Sequence, residues 1–377
     1  MLLRKTYQVR QETVRRKMVE NGMTKMLVTN PFNILYLCGA NITPYERFMG
    51  LLLDAETKKS YLIIPGFENG HCQEDGTLEV TYRDNEDALD ITADLINGCK
   101  RLGVEKKVLP LFTAERLSSQ LEKAAASAPC EMVKADFLLE EMRLHKDDVE
   151  LEKMAKAAEY TVDVLEQVKG KLVPGAWEQQ IRFEMVRLIL LEEALMGMAC
   201  PIQVSSGVHA SMAHGILGPK KIESGDPVVI DFGVIYEHYR SDITRTFFVG
   251  KPKPEFEKIY QIVLEAQEKA IDIIRPGIAL KEVDLAARNH IEQAGYGQYF
   301  TTRIGHGLGL EIHELPSMHQ ENEQLIEEGM TFTIEPGIYI PGVGGVRIED
   351  DIAVTKEGVV VLTKNYPKDL SSIILTD

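Results

Sequence analysis

The sequence is poor in cysteine, in long apolar runs and in positive charge, and each shortage removes a class of protein. Its five cysteines, Cys38, Cys72, Cys99, Cys130 and Cys200, fall without paired spacing. An odd, scattered set argues against a disulfide framework, fits reduced thiols in a cytoplasm, and assigns no cysteine to a metal site. No apolar stretch approaches a membrane span, and the opening residues lack the apolar segment of a secretory signal, so a soluble, cytoplasmic protein is expected. Lys and Arg number 42 against 58 Asp and Glu, giving a net charge of −16. With no basic patch to reverse that sign, nucleic acid and anionic lipid are disfavoured as partners.

What is present reads as compact and globular. The 377 residues are 44% apolar and 27% charged, without a low-complexity tract, and that length favours two domains. Residues 6–21 predict a helix and Lys25–Thr29 a strand. The apolar stretch 34–39 follows a turn at Asn30-Pro31. Runs 49–53 and 61–64 form a hairpin around the polar turn 54–59. Strand-like 78–82, helical 86–101, strand-like 107–109 and helical 113–124 complete an α/β domain over 1–135. From 136 to 377 the composition turns helix-rich. Amphipathic helices over 148–169 and 177–195 flank a Pro174-Gly175 turn.

The second half repeats itself. Gly225 to Gly233 and Gly329 to Gly337 share one pattern: glycine, five mostly β-branched or aromatic residues, a carboxylate, one residue, glycine. The carboxylates Asp231 and Glu335 are 104 residues apart, and the turns Pro174-Gly175 and Pro276-Gly277 are 102 apart. Two units of helices followed by strands predict a pseudo-twofold domain whose carboxylates face one cavity.

Five residues are candidate metal ligands. Asp231 ends an apolar run, where burying an ionised carboxylate is costly unless a cation or donor offsets it; a turn-capping role is the alternative. Asp242 follows a hairpin tip at Glu237-His238, and a structural Asp is its alternative. Glu335 and Glu349 repeat the arrangement around Gly342 to Gly345. Arg347 and Glu349 share a strand face, which also fits a simple ion pair. His306 sits among three glycines in five residues, which allow close backbone approach and leave its imidazole accessible. A satisfied loop histidine is its alternative, and with His313 seven residues on the pair also fits one ligand and one proton carrier. Four carboxylates and one imidazole suit two ions of Mn²⁺, Co²⁺, Fe²⁺ or Zn²⁺. Such a pair lowers the pKa of a bridging water and polarises a carbonyl, so amide hydrolysis is the expected reaction. No phosphate loop or serine nucleophile elbow competes, and His209 and His214 are further residues that could line the cavity.

These motifs, Asp-Phe-Gly…Tyr-Arg-Ser-Asp-Ile-Thr-Arg-Thr-Phe-Phe-Val-Gly, Gly-His-Gly-Leu-Gly…His-Glu-x-Pro, Glu-Pro-Gly-Ile-Tyr and Gly-Val-Arg-Ile-Glu-Asp, resemble the pita-bread metallopeptidases, in the Xaa-Pro dipeptidase and Xaa-Pro aminopeptidase branch. The resemblance implies a creatinase-type α/β amino domain and an α+β pita-bread domain with a pseudo-twofold repeat. It makes Asp231, Asp242, His306, Glu335 and Glu349 the ligands of two divalent ions, Mn²⁺ foremost, with Asp242 and Glu349 bridging. It places His214 and His313 against the substrate, and Arg347 as an ordering residue. It implies a homodimer that cleaves Xaa-Pro peptides by attack of a metal-bridging hydroxide. A related amidohydrolase or a non-catalytic binding protein on the same fold are the alternatives. Two departures, His209 with Ala213 in the Ser206-to-His214 segment and His238 in Tyr-Glu-His-Tyr, bear on the proline preference and add histidines near the cavity.

Overall fold

The computed structural model describes residues 2–72, 76–124, 130–216 and 218–375. The chain divides into two compact units, Met1–Met142 and Arg143–Asp377.

The first unit is a six-stranded α/β layer. In order it runs α1 (Leu2–Glu20), β1 (Lys25–Val28), α2 (Pro31–Cys38), β2 (Gly50–Asp54), β3 (Ser60–Pro65), β4 (Leu78–Tyr82), α3 (Ala88–Ile96), β5 (Arg101–Val104), α4 (Leu111–Ala124) and β6 (Glu131–Lys134), and α5 (Asp136–Leu144) carries the chain out of it. The strand order is β4-β3-β2-β1-β5-β6, and β2 alone runs against its neighbours. The apolar stretch after Pro31 is the helix α2. Asn30 accepts from the Phe32 N–H, proline opens the helix, and Gly39 closes it in the left-handed region. The hairpin β2–β3 forms as expected. Helix 86–101 ends early at Ile96, and the next strand is Arg101–Val104, because Lys107 to Leu109 lie in a turn in which Val108 donates to the Glu105 carbonyl.

The second unit is built twice. Its first half is α6 (Asp148–Lys169), α7 (Glu178–Leu191), β7 (Leu195–Met198), β8 (Gln203–Ser206), β9 (Pro227–Phe232), β10 (Val234–Tyr236), β11 (Tyr239–Arg240) and β12 (Ile243–Val249). The second is α8 (Pro254–Asp272), α9 (Leu280–Gln293), β13 (Gly305–Gly307), β14 (Glu314–Met318), β15 (Thr331–Ile334), β16 (Gly337–Ile340), β17 (Gly344–Arg347), β18 (Asp350–Thr355) and β19 (Gly358–Val361). The expected duplication is present in detail. Gly225 and Gly329 share a φ of +85°, open to glycine at no steric cost. Each donates its N–H to the far end of the returning strand, Gly225 to Val249 and Gly329 to Val354. The Gly175 N–H likewise meets the Ile222 carbonyl, and the Gly277 N–H the Ile326 carbonyl, both at 2.8 Å.

The core shows why both halves hold their strands. Val228, Ile230 and Phe232 of β9 and Phe247 of β12 are buried with Val164, Leu165 and Val168 of α6. Phe332, Ile334, Ile352 and Val354 do the same beside Val263 of α8 and Val283 and Ala287 of α9. Each fully buried aliphatic or aromatic side chain contributes about 1.5–3 kcal/mol, so the strand ends that carry the acids are held by a rigid apolar frame.

Candidate metal centre

Both halves deliver two acids in the same way. Asp231 lies on β9 opposite Thr244 of β12. The chain passes through the β10–β11 hairpin and returns with Asp242 just before β12, where the Asp242 N–H donates to Asp351 Oδ2 at 2.8 Å. In the second half Glu335 follows β15 and Glu349 precedes β18, either side of the β16–β17 hairpin. His306 is the middle residue of β13, which pairs with both β14 and β15. Gly305 and Gly307 have no alternative there, since a Cβ would stand 1.9 Å from the Thr333 carbonyl oxygen in one case and 2.1 Å from that of Leu315 in the other.

The predicted residues converge. His306 Nε2 is 3.5 Å from Glu335 Oε1 and 3.8 Å from Asp242 Oδ2. Ligand atoms of Asp242, His306 and Glu349 all lie within 4.8 Å of one another, and so do those of Cys200, Asp231 and Asp242. Asp242 is thus common to two adjoining clusters. All five candidate ligands, together with His214, His313 and Arg347, line one cavity of about 610 Å³.

The donor set fits a cation. Asp242 Oδ1 is buried with no hydrogen-bond partner among the described residues. An orphaned buried carboxylate oxygen is costly unless a cation meets it. Burial, then repulsion from Glu349 and Asp231, holds the Asp242 carboxyl far above the usual range. Glu349 is displaced the same way by burial and by Glu335 and Asp231. Burial raises Glu335 to about 7 against the opposing pull of Arg347. His306 moves oppositely, down to about 3, because burial and then His313 disfavour its cation. A neutral imidazole among crowded acids is the state that ligates a metal.

Around the acids, uncharged and cationic donors fix orientation. Thr244 Oγ1 donates to Glu349 Oε2 at 2.6 Å and accepts from Arg347 Nε at 3.0 Å. Arg347 also donates to Asp231 Oδ2 at 2.6 Å, Tyr339 OH at 2.8 Å, the Ala213 carbonyl at 2.6 Å and Gln203 Oε1 at 3.2 Å. Arg347 pairs with Asp231 rather than with Glu349, and the expected shared strand is absent: Arg347 ends β17 and Glu349 lies between β17 and β18. His313 stands edge-on to His306 with ring centroids 4.2 Å apart, and burial followed by Arg303 and His214 lowers its pKa.

Three expectations change. His306 is buried at 4% exposure, in the cavity wall rather than on an open turn. His209 is not among the cavity residues; its Nδ1 is 2.8 Å from Oε2 of Glu178, and Glu178 is the residue that lines the wall. His238 also lies off the cavity, at the tip of β10–β11, where Glu237 and His238 have φ of 42° and 72°. That is the two-residue hairpin turn that needs left-handed backbone at both positions. Sequence reasoning assigned no role to Gln203, Thr244 or Cys200, and Cys200 lines the cavity beside two acids despite its isolation in the sequence.

Duplicated helix–strand halves closing on four carboxylates and an imidazole define the pita-bread class of metal-dependent enzymes. Residues 152–356 match Metallopeptidase family M24, and residues 10–145 match the Creatinase/Prolidase N-terminal domain. The Xaa-Pro dipeptidase of Pyrococcus horikoshii is 37% identical over 347 residues, 92% of this chain and 94% of the relative. A prolidase structure from Pyrococcus horikoshii superposes with a TM-score of 0.87 at 35% identity, covering 96% of this chain and 99% of that one. An Xaa-Pro dipeptidase structure from Bacillus anthracis does so with a TM-score of 0.87 at 34% identity, over 98% and 100%. The chain belongs to metallopeptidase family M24, and membership implies divalent metal ions. No helix among the described residues is long and apolar enough to cross a membrane.

Proposed function

We propose that the chain is an Xaa-Pro dipeptidase that holds two divalent ions through Asp231, Asp242, His306, Glu335 and Glu349. The observation that carries this reading is the buried, unpartnered Asp242 Oδ1 at the junction of the two donor clusters. The relatives named Xaa-Pro dipeptidase and prolidase support the substrate. When bound, such a pair of ions supplies an activated water and polarises the scissile carbonyl.

The protein's own groups do the rest. Arg347 and Thr244 hold Asp231 and Glu349 in fixed orientation, so little reorganisation accompanies reaction. His214 and His313, both exposed and lining the cavity, are the proposed hydrogen-bonding partners of the substrate carbonyl. The lowered pKa of His313 keeps it neutral near pH 7, so one ring nitrogen donates while the other accepts. The hard, carboxylate-rich set favours Mn²⁺ in the cell, and a cytoplasmic homodimer is the proposed form.

The deciding assay is a panel of Xaa-Pro dipeptides, Xaa-Pro tripeptides and non-proline dipeptides, run on chelated enzyme resupplied with Mn²⁺, Co²⁺ or Zn²⁺. Restored cleavage of Xaa-Pro dipeptides alone is expected. Activity that survives exhaustive chelation, or equal cleavage of non-proline controls, refutes the reading.

A further inference from the structure

Cys200 follows β7 at the rim of the acids. Met198 is opposite Val234 in the β7–β10 pairing, and the Ala199 N–H donates to the Gly233 carbonyl at 2.9 Å. Two residues beyond Met198 the antiparallel path therefore sets Cys200 alongside the Asp231 end of β9. Its Sγ and carboxylate oxygens of Asp231 and Asp242 lie within 4.8 Å of one another. Donors on one tetrahedral ion with bonds of about 2.0–2.3 Å stand about 3.3–3.8 Å apart, so side-chain shifts of up to about 1 Å bring all three onto one ion. Asp242, nine-tenths buried and with an Oδ1 that has no partner among the described residues, is the same sign that a cation belongs at this spot, and Cys200 stands beside it. The other four cysteines, Cys38, Cys72, Cys99 and Cys130, lie in the first unit.

We propose that Cys200 is a sixth ligating residue, adding a thiolate to the ion held by Asp231 and Asp242 and biasing that position toward thiophilic divalent ions. The inference rests on the metal-centre reading above. Thiolate is a soft donor, whereas the other donors are hard carboxylates and one imidazole. As the Sγ–metal bond forms, the Sγ–H bond breaks and its proton passes to solvent; no oxidant or reductant takes part. The consequence is a centre whose two positions differ in softness. One carries a sulfur; the other, at Asp242, His306 and Glu349, carries a nitrogen.

The full-length protein, demetallated and reloaded with Co²⁺ to two ions per chain, tests this by absorption. Wild type should show an intense near-ultraviolet sulfur-to-cobalt charge-transfer band. Cys200→Ser and Cys200→Ala should lose that band and keep the weaker visible cobalt bands. A wild-type protein holding two Co²⁺ without the band, or a band that persists in Cys200→Ser, overturns the proposal and leaves the metal-centre reading intact. A wild type that binds no Co²⁺ overturns both. Competition titration gives a second readout. Cys200→Ser should weaken Cd²⁺ binding by about tenfold or more and change Mn²⁺ binding by less than about threefold. Equal losses for both ions would mark Cys200 as a packing residue and overturn the assignment.

Discussion

Thr244 and Glu349 are joined twice. The Glu349 N–H donates to the Thr244 carbonyl at 3.1 Å, and Thr244 Oγ1 donates to Glu349 Oε2 at 2.6 Å. One bond locks the backbone where the two halves meet, and the other aims a candidate ligand. Thr244→Val keeps the shape of the side chain and removes the donor. Metal affinity should fall by about 10–100-fold, as for other lost partners of metal ligands, and Thr244→Ser should restore most of it. Calorimetric titration with Mn²⁺ reads the difference; unchanged affinity in Thr244→Val would show that the hydroxyl does not orient Glu349.

The acids set a pH dependence on the metal-free protein. Glu335 is raised to about 7, and Asp242 and Glu349 are raised in the same direction. The folded chain then keeps protons that the unfolded chain releases near about pH 4–4.5, so these groups favour folding at low pH. That contribution is lost as pH rises toward about 7 and beyond. Thermal midpoints with and without Mn²⁺, followed from about pH 5 to about pH 8, should diverge as pH rises. A constant gap across that window would contradict the shared titration.

Arg347 is a test of geometry more than of charge. Its five acceptors surround a planar fork, which a lysine ammonium cannot reproduce. Arg347→Lys should retain two ions per chain and lower kcat by about 10–100-fold. Metal analysis beside steady-state kinetics separates the outcomes, and full activity in Arg347→Lys would show that the fork is dispensable.

Arg245 and Asp350 form a fully buried ion pair at 2.7 Å, with Lys368 2.8 Å from the other Asp350 oxygen. Burial alone would raise the Asp350 carboxyl, but Arg245 and Lys368 bring it down to about 2. Its stabilising contribution is present above the unfolded value of about 3.9 and is lost as pH falls through about 2. Asp350→Asn should cost about 3–5 kcal/mol near neutral pH, because Arg245 loses its counter-charge. Urea unfolding measures the loss, which should narrow below about pH 4.

The sequence carried the duplication because its signals are local: a glycine, an apolar strand and an acid recur at a fixed offset. It carried the Glu237-His238 tip because apolar runs flank a polar pair. The helical spacing of 86–101 runs on through Asn97-Gly98, but Gly98 takes a left-handed φ of 81° and the helix stops at Ile96. Thr244, Gln203 and Cys200 had no pattern to read. Their roles come from neighbours more than 30 residues away, Asp231 and Asp242 for Cys200 and Arg347 for Gln203, which only the folded register supplies. The expectation of His209 and His238 near the cavity rests on their places in the two motif segments that depart from the family pattern. His209 instead lies in a 3₁₀ turn, Gly207–Ser211, where it meets Glu178, and His238 forms the tip of a two-residue hairpin.

The Thr244–Glu349 junction spans 105 residues of chain. Closing so long a loop brings no reward until the strands on both sides have formed. The candidate ligand cluster therefore cannot form during synthesis of the first half, and it comes together only after β18 has emerged and docked. The candidate site is thus a late product of the fold, completed only when the two halves have met.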